Sequence, residues 1–246
     1  MTDLSIVIPA RNEAENIRAL LHGIVAALTT APPFEIIVVD DGSTDATGDA
    51  VRAASAEDPR IRLLSHPRSA GQSAAVHSGV RAARGRIVGT LDGDGQNPPE
   101  ELPKLVAPLL DPGASPRLAL VAGQRVGRQD TWSKKAASRF ANALRGRLLK
   151  DGTRDTGCGL KAFRRDVFLT LPYFDHMHRY LPALFKRDGW EIALVDVSHR
   201  ARGGGRSNYS NLQRGLVGVV DLLGVMWLIR RRKKTEPTEE RDPSIG

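Results

Sequence analysis

Two hydrophobic rhythms alternate along this chain. Short, near-continuous apolar runs recur at strand length: residues 4–9 (Leu-Ser-Ile-Val-Ile-Pro), 34–39, 61–64, 86–91, 118–122 and 192–197. Between them the apolar positions fall three and four residues apart, as on one face of a helix. The first such segment runs to about Leu28, with Ile17, Leu20, Leu21, Ile24 and Leu28 on one side. Asn12 is its expected N-cap and Glu15 the capping-box partner. Further helices are expected after Asp45 to about Ser55, over the small-residue stretch Gly71–Ala83, and from Pro98-Pro99-Glu100-Glu101, where prolines and acids suit a helix start. Residues 131–150 read as a basic helix, with helical patches at 166–171 and 177–186. Strands that are apolar throughout and alternate with helices predict an α/β fold, a mostly parallel sheet covered by helices on both faces. No internal repeat interrupts the pattern.

The polar residues collect where strands end. Pro9-Ala10-Arg11-Asn12-Glu13, Asp40-Asp41-Gly42-Ser43-Thr44-Asp45 and Asp92-Gly93-Asp94-Gly95-Gln96 each follow an apolar run. Ligands of parallel α/β sheets bind beyond the carboxyl ends of the strands. A strand end that presents Asp92 and Asp94 suits a hard divalent cation bridging ligand phosphates. The same Asp-Gly-Asp-Gly is also ordinary turn chemistry, and Asp40 and Asp41 could simply cap the next helix.

Length and composition narrow the class. A chain of 246 residues, 41% hydrophobic and 26% charged, is a globular domain with room for a full core. Its single cysteine, Cys158, cannot form an internal disulfide and reads as a small buried residue in a reducing compartment. Residues 1–4 lead straight into a strand, so no signal peptide is expected. The net charge of +8 is concentrated late: residues 198–234 hold nine Arg or Lys against one acid. That predicts an anionic partner. Only 5% of residues are aromatic and no stacking pattern appears, which argues against nucleic acid. No Gly-x-Gly-x-x-Gly follows the first strand, which argues against a dinucleotide oxidoreductase.

The end of the chain has its own character. His199-Arg200-Ala201-Arg202-Gly203-Gly204-Gly205-Arg206-Ser207 is a basic, glycine-rich loop suited to closing over substrate. An apolar run of fourteen residues, Leu216–Ile229, contains Asp221 and closes in Arg230-Arg231-Arg232-Lys233-Lys234. It is short for a membrane span. A core helix is one reading; an interfacial helix with its basic end on anionic headgroups is preferred. Residues 235–246 are polar, and disorder is expected there.

Together, Pro9-Ala10-Arg11-Asn12-Glu13, Asp40-Asp41-Gly42-Ser43, Asp92-Gly93-Asp94 with Gln96-Asn97-Pro98-Pro99-Glu100, and His199-x-x-Arg202 resemble the family-2, GT-A-fold glycosyltransferases. Within these they are most similar to the polyprenyl (dolichyl) phosphate sugar transferases of the dolichol-phosphate mannosyltransferase kind. The resemblance covers roughly residues 3–210. It implies a Rossmann-like GT-A catalytic domain over 1–210, with 211–234 as a helical appendage at the membrane interface. It implies that Pro9, Arg11, Asn12, Glu13, Asp41 and Asp92 bind the nucleotide sugar, and that Asp92, Asp94 and Gln96 hold Mg²⁺ or Mn²⁺. It further implies that Arg125 (after Gly123-Gln124), Lys134, Ser138, Arg202 and Arg206 surround the acceptor phosphate, with Asp92, Asp94, Arg125 and Arg202 catalytic. Two positions depart from the family: the helix arginine is Lys134 or Lys135, and Arg206 stands where a lysine is usual. Charge is kept, but bidentate geometry can differ.

The activity so implied is inverting transfer of a mannose- or glucose-class sugar from a GDP- or UDP-sugar to dolichyl or undecaprenyl phosphate. The metal would neutralise the leaving diphosphate, and an already ionised phosphate acceptor needs cationic positioning rather than a base. Expected partners are the nucleotide sugar, the lipid, a membrane surface and a small integral membrane protein, at the cytoplasmic face. Family catalytic domains are often followed by transmembrane helices; their absence here is similar to the soluble or peripheral members. Two alternatives stay open. One is transfer to a sugar or protein hydroxyl, with Asp155 as base; the other is a non-catalytic membrane-surface module. His199 reads as an ordinary surface or core histidine.

Overall fold

The computed structural model describes residues 2–126, 145–200, 211–232 and Thr235, with backbone only over 211–217. Its centre is a seven-stranded sheet built from β1 (Leu4–Ala10), β2 (Phe34–Asp40), β3 (Ile61–Ser65), β4 (Ile87–Thr90), β5 (Leu118–Arg125), β6 (Lys161–Arg164) and β7 (Glu191–Val197), in the order β3-β2-β1-β4-β6-β5-β7. All pairings are parallel except those of β6, which runs antiparallel to both β4 and β5. The helices are α1 (Ile17–Ala27), α2 (Thr47–Glu57), α3 (Gln72–Ala82), α4 (Leu102–Leu110), α5 (Arg165–Thr170), α6 (Leu181–Arg187) and α7 (Asn211–Arg230). Short 3₁₀ turns at Pro99–Glu101 and Met177–Arg179 precede α4 and α6.

Alternation along the strands feeds two cores. Leu4, Ile6 and Ile8 of β1, with Ile36 and Val38 of β2, pack against α1, α2 and α4. Val7, Ile37 and Val39 point the other way, onto α3, α5, α6 and Val225 of α7. Successive strand side chains point to opposite faces, so strands buried on both sides need the near-continuous apolar runs seen in the sequence. The expected α/β architecture, a mostly parallel sheet with helices on both faces, is the one observed.

Two details differ from expectation. Asn12 does not cap α1, which begins five residues later at Ile17; Asn12 sits at φ 57° and bonds to another loop. The strand β6 was not expected, because Lys-Ala-Phe-Arg is four residues long and carries no strand signal of its own. The helix α7 begins at Asn211, where the helical appendage was expected, and no helix among the described residues is long and apolar enough to cross a membrane.

Candidate active site

The sheet order reverses between β1 and β4, so a crevice opens beyond their carboxyl ends. The loops on the β1–β2 side are laced together. The Asn12 N–H donates to Ser43 Oγ (3.0 Å), and the Thr44 N–H donates to Asn12 Oδ1 (2.8 Å). The Glu13 N–H donates to Thr47 Oγ1 (2.8 Å), while Asp45 takes the N–H groups of Thr47 (3.0 Å) and Ala14 (3.2 Å). Asp45 thus ties the first residue of α2 to the β1 loop, and Asp40 accepts the Ser43 N–H at 2.9 Å to form the turn.

Asp41 is buried and fully used. Its Oδ1 takes His66 Nδ1 (2.7 Å) and the Ala70 N–H (2.9 Å); its Oδ2 takes the Ser69 hydroxyl (2.7 Å) and the Gly71 N–H (2.9 Å). Burial pushes the carboxyl up, but these donors outweigh it and hold Asp41 below the ordinary carboxylate value. A carboxylate has about four acceptor directions. Asp41 therefore spends them on the loop that delivers α3 to the crevice. Gly42, at φ 65°, lets that loop pass so close that a Cβ would lie 2.6 Å from the Ser69 nitrogen.

Across the reversal point lies a cleft of about 290 Å³, lined by Pro9, Gln72, Asp92, Thr156–Gly159, Lys161, His178 and Arg179 among others. Asp92 is its acid. Gln72 Nε2 donates to Oδ1 at 2.6 Å and Asn97 Nδ2 to Oδ2 at 3.1 Å. Burial and the neighbouring Asp94 push the Asp92 carboxyl up. Gly159 is required beside it, because a Cβ there would overlap the Asp92 carboxylate. Asp94 turns to an adjoining depression shared with Glu15, Asn16, Glu100 and Arg200, and its Oδ1 accepts the Gln96 N–H at 3.1 Å.

Asp92, Asp94 and Gln96 therefore sit on one turn but do not open into one cavity. Among the described residues no three His, Cys, Asp or Glu side chains converge as a metal cage. A hard cation would fit the turn as two carboxylates and an amide oxygen completed by oxygens of a bound ligand, the usual economy of Mg²⁺ sites. The like-charge pair with one buried member is what such a cation would relieve.

Beyond β5, Arg125 forms a bidentate pair with Asp155, Nε to Oδ2 at 2.5 Å and Nη2 to Oδ1 at 2.9 Å. The buried Gln124 fixes the same loop by accepting the N–H groups of Arg154 (2.8 Å) and Asp155 (3.0 Å). The start of the late basic loop touches the acidic turn: the Arg200 N–H donates to the Gln96 carbonyl at 3.0 Å, and Arg200 pairs with Glu100 at 2.9 Å. Pro9 lines the cleft, and Arg11 and Glu13 stand on the β1 loop. Lys134, Ser138, Arg202 and Arg206 lie outside the described residues.

Gln72, Lys161, His178 and Arg179 were missed in the sequence. Lys161 is buried in β6, opposite Thr90 of β4, and its ammonium donates to the Cys158 carbonyl. Burial lowers its pKa and raises that of the Cys158 thiol. His178 bonds to Ser73 Oγ at 2.7 Å, and burial, with Lys161 and Arg179 nearby, drops it well below the ordinary imidazole value. Lys161, His178 and Arg179 reach the cleft through β6 and the 3₁₀ turn, and Gln72 through the first residue of α3, elements that carry no motif.

A family model described as glycosyl transferase family 2 matches residues 5–171. The dodecaprenyl-phosphate galacturonate synthase of Rhizobium johnstonii is 35% identical over 237 residues, 94% of this chain and 69% of that protein. The undecaprenyl-phosphate 4-deoxy-4-formamido-L-arabinose transferase of Serratia proteamaculans is 37% identical over 211 residues, 84% of this chain and 63% of that protein. The chain thus spans about two thirds of the length of these relatives. Among solved structures, glucosyl-3-phosphoglycerate synthase from Mycobacterium tuberculosis, in complex with Mn²⁺, UDP and glucosyl-3-phosphoglycerate, has a TM-score of 0.68 at 22% identity, over 93% of this chain and 80% of that one. Mannosyl-3-phosphoglycerate synthase from Rubrobacter xylanophilus has 0.70 at 18% identity, over 97% and 79%. At such identities these two structures speak for the GT-A-like fold alone. The family match runs from β1 through the acidic turn and β6 to the end of α5, and with the 35% identical relative it means that this chain belongs to glycosyl transferase family 2.

Proposed function

We propose that the chain is an inverting transferase that moves a sugar from a nucleotide diphosphate to a polyprenyl phosphate. The observation that carries this reading is the division of the carboxyl edge. The acidic turn and its cleft lie at the β1/β4 crevice, while Arg125 and the arginine-rich loop begin on the β5–β7 side. Two relatives of this chain bear names of polyprenyl-phosphate sugar transferases, which supports the acceptor class.

In this reading the β1 loop (Pro9, Arg11, Asn12, Glu13) borders the nucleotide, and Asp41 shapes the loop beside it. Asp92, Asp94 and Gln96 would hold Mg²⁺ or Mn²⁺, which when bound supplies Lewis-acid neutralisation of the leaving diphosphate. Arg125, Lys134, Ser138, Arg202 and Arg206 orient the acceptor phosphate. One of its oxygens forms the new bond to the anomeric carbon from the side opposite the diphosphate. The old carbon–oxygen bond breaks with its electron pair to the leaving phosphate, inverting the centre. A phosphate monoester is already ionised at neutral pH, so no base is required. Transfer to a hydroxyl would need one, and Asp155, the candidate, has both oxygens on Arg125.

The proposed setting is the cytoplasmic face of a membrane. Val219, Val220, Leu223 and Trp227 of α7 are all more than half exposed, and the basic run 230–234 follows them. The sequence pointed to a mannose- or glucose-class donor; the relatives are named for a uronate and for a formamidopentose. The test offers paired UDP- and GDP-sugars with a short polyprenyl phosphate and Mg²⁺ or Mn²⁺, and measures organic-soluble product. Asp94→Ala is expected to lose at least about 100-fold in rate; wild-type turnover by that variant refutes the metal assignment.

A further inference from the structure

We propose that α7, through Asp221 and the Gly218 carbonyl, grips both ends of the turn that carries His178 and Arg179 into the cleft, so that the helix assigned to the membrane surface also positions the donor subsite. This rests on the transferase reading above, in which the cleft beside Asp92 receives the nucleotide sugar. Asp221, His176 and Tyr180 are then positioning residues, acting through the turn rather than on the substrate.

The 3₁₀ turn Met177–Arg179 is bounded by His176 before it and Tyr180 after it. The helix α7 touches both. The Tyr180 hydroxyl donates to the Gly218 carbonyl at 3.3 Å, and His176 Nδ1 lies 3.0 Å from Asp221 Oδ2. Gly218 and Asp221 are three residues apart, hence on one face of the helix, and that face continues to the buried Val225. This accounts for an acid inside an apolar run. The Asp221 Oδ2 is shielded from solvent, and a carboxylate oxygen cut off from water needs a donor. The imidazole stands within reach.

His176 has a backbone that its surroundings must hold. Its φ is 65°, the left-handed region, which a side chain with a Cβ adopts at a cost and which gathers at functional sites. Its N–H donates to Asp175 Oδ1 at 2.8 Å, and its carbonyl takes the Arg179 N–H at 3.0 Å. The setting of His176 therefore fixes where Arg179 begins. On the inner side the turn is fastened to α3: Ser73 Oγ accepts the His178 N–H at 3.3 Å and lies 2.7 Å from His178 Nδ1. The residue before Ser73 is Gln72, which donates to Asp92. The chain of contacts thus runs from α7 through the turn to the cleft wall and its carboxylate. Val220 and Leu223, one and two residues from Asp221, look outward and are more than half exposed. One turn of helix carries both the outward apolar face and the grip on the cleft.

The test compares the native full chain with Asp221→Asn, His176→Asn, the double variant and Tyr180→Phe. Asparagine at 176 tolerates the left-handed backbone but is too short to replace the imidazole. The donors are UDP-glucose, UDP-galactose, UDP-galacturonate and GDP-mannose, with a short polyprenyl phosphate as acceptor. Asp221→Asn and His176→Asn are each expected to raise the donor KM at least about fivefold, with the acceptor KM unchanged. The double variant is expected to go no further, as for two residues that act as a pair. Tyr180→Phe, which removes the hydroxyl alone, is expected to raise the donor KM as well. KM does not depend on the folded fraction, so a merely structural loss lowers kcat and Tm and leaves the donor KM at its native value. A native donor KM in Asp221→Asn or in Tyr180→Phe overturns the proposal and leaves the transferase reading intact. So do single effects at 176 and 221 that add in the double variant. Transfer by the native chain from none of the four donors refutes the transferase reading and this inference with it.

Discussion

Asp41 and Gly159 illustrate how single residues set the site. Asp41 gathers four donors from one loop while buried, and its carboxyl is held below the ordinary value. A carboxyl whose pKa is depressed by folding stabilises the native state above its unfolded pKa, and that contribution fades as pH falls through the folded pKa. Asp41→Asn should therefore cost about 2 kcal/mol at pH 7, read as a lower Tm. The gap to the native chain should narrow below about pH 4, where the carboxyl of the unfolded chain takes up its proton while the folded one, held lower, still has not. A gap independent of pH would mean that the carboxylate charge is not what holds the loop. Gly159 stands against the Asp92 carboxylate with no room for a methyl group. Gly159→Ala should cut turnover about 100-fold by displacing that carboxylate, with the Tm nearly unchanged; full activity would place the reacting groups elsewhere. Asp92, Asp94 and Asp41 were legible in the sequence because turn and strand-end chemistry are local. Lys161 was not, since its meaning comes from pairing with Thr90, 71 residues earlier.

Element by element, legibility followed length and periodicity. The apolar runs of β1 and β2 and the amphipathic α1 and α4 declared themselves, because each buries a regular face. The four residues of β6 did not, although Ala162 and Phe163 are fully buried, because a strand that short is defined by the neighbours it joins. α7 was legible as an apolar helix with a basic end, and the structure divides its faces. Val225 is buried and Leu222, Met226 and Ile229 pack on the second core, while Val220, Leu223 and Trp227 look outward at 68%, 60% and 60% exposure. The triple change Val220→Ser, Leu223→Ser, Trp227→Gln should lower partitioning onto vesicles containing anionic lipid by at least about tenfold, with unchanged Tm. Equal partitioning of the two chains would assign that face another role.

At the scale of the whole molecule, the parallel half β3-β2-β1-β4 carries the acidic turn, and β5 and β7 carry the arginine side. The concentration of positive charge late in the chain is visible in the sequence alone; what joins that part to the acidic turn is not. β6 is the seam, reaching the sheet only after the chain has built β5 and travelled through residues 126–160. Order of synthesis then matters. When β5 has just been made, β4 has β1 on one flank and nothing yet on the other, an open edge of the kind that templates association. The fragment 1–126 is expected to self-associate in analytical ultracentrifugation, whereas 1–200, which includes β6 and β7, is expected to sediment as a monomer; a monomeric 1–126 would show that the edge is protected by other means. The same seam makes the cleft a late product. Asp92 is in place long before Lys161, His178 and Arg179 exist, so a nascent chain presents the acidic turn before it has the other walls of the cleft. In the transferase reading proposed above, binding of a nucleotide sugar would report that the sheet has been closed.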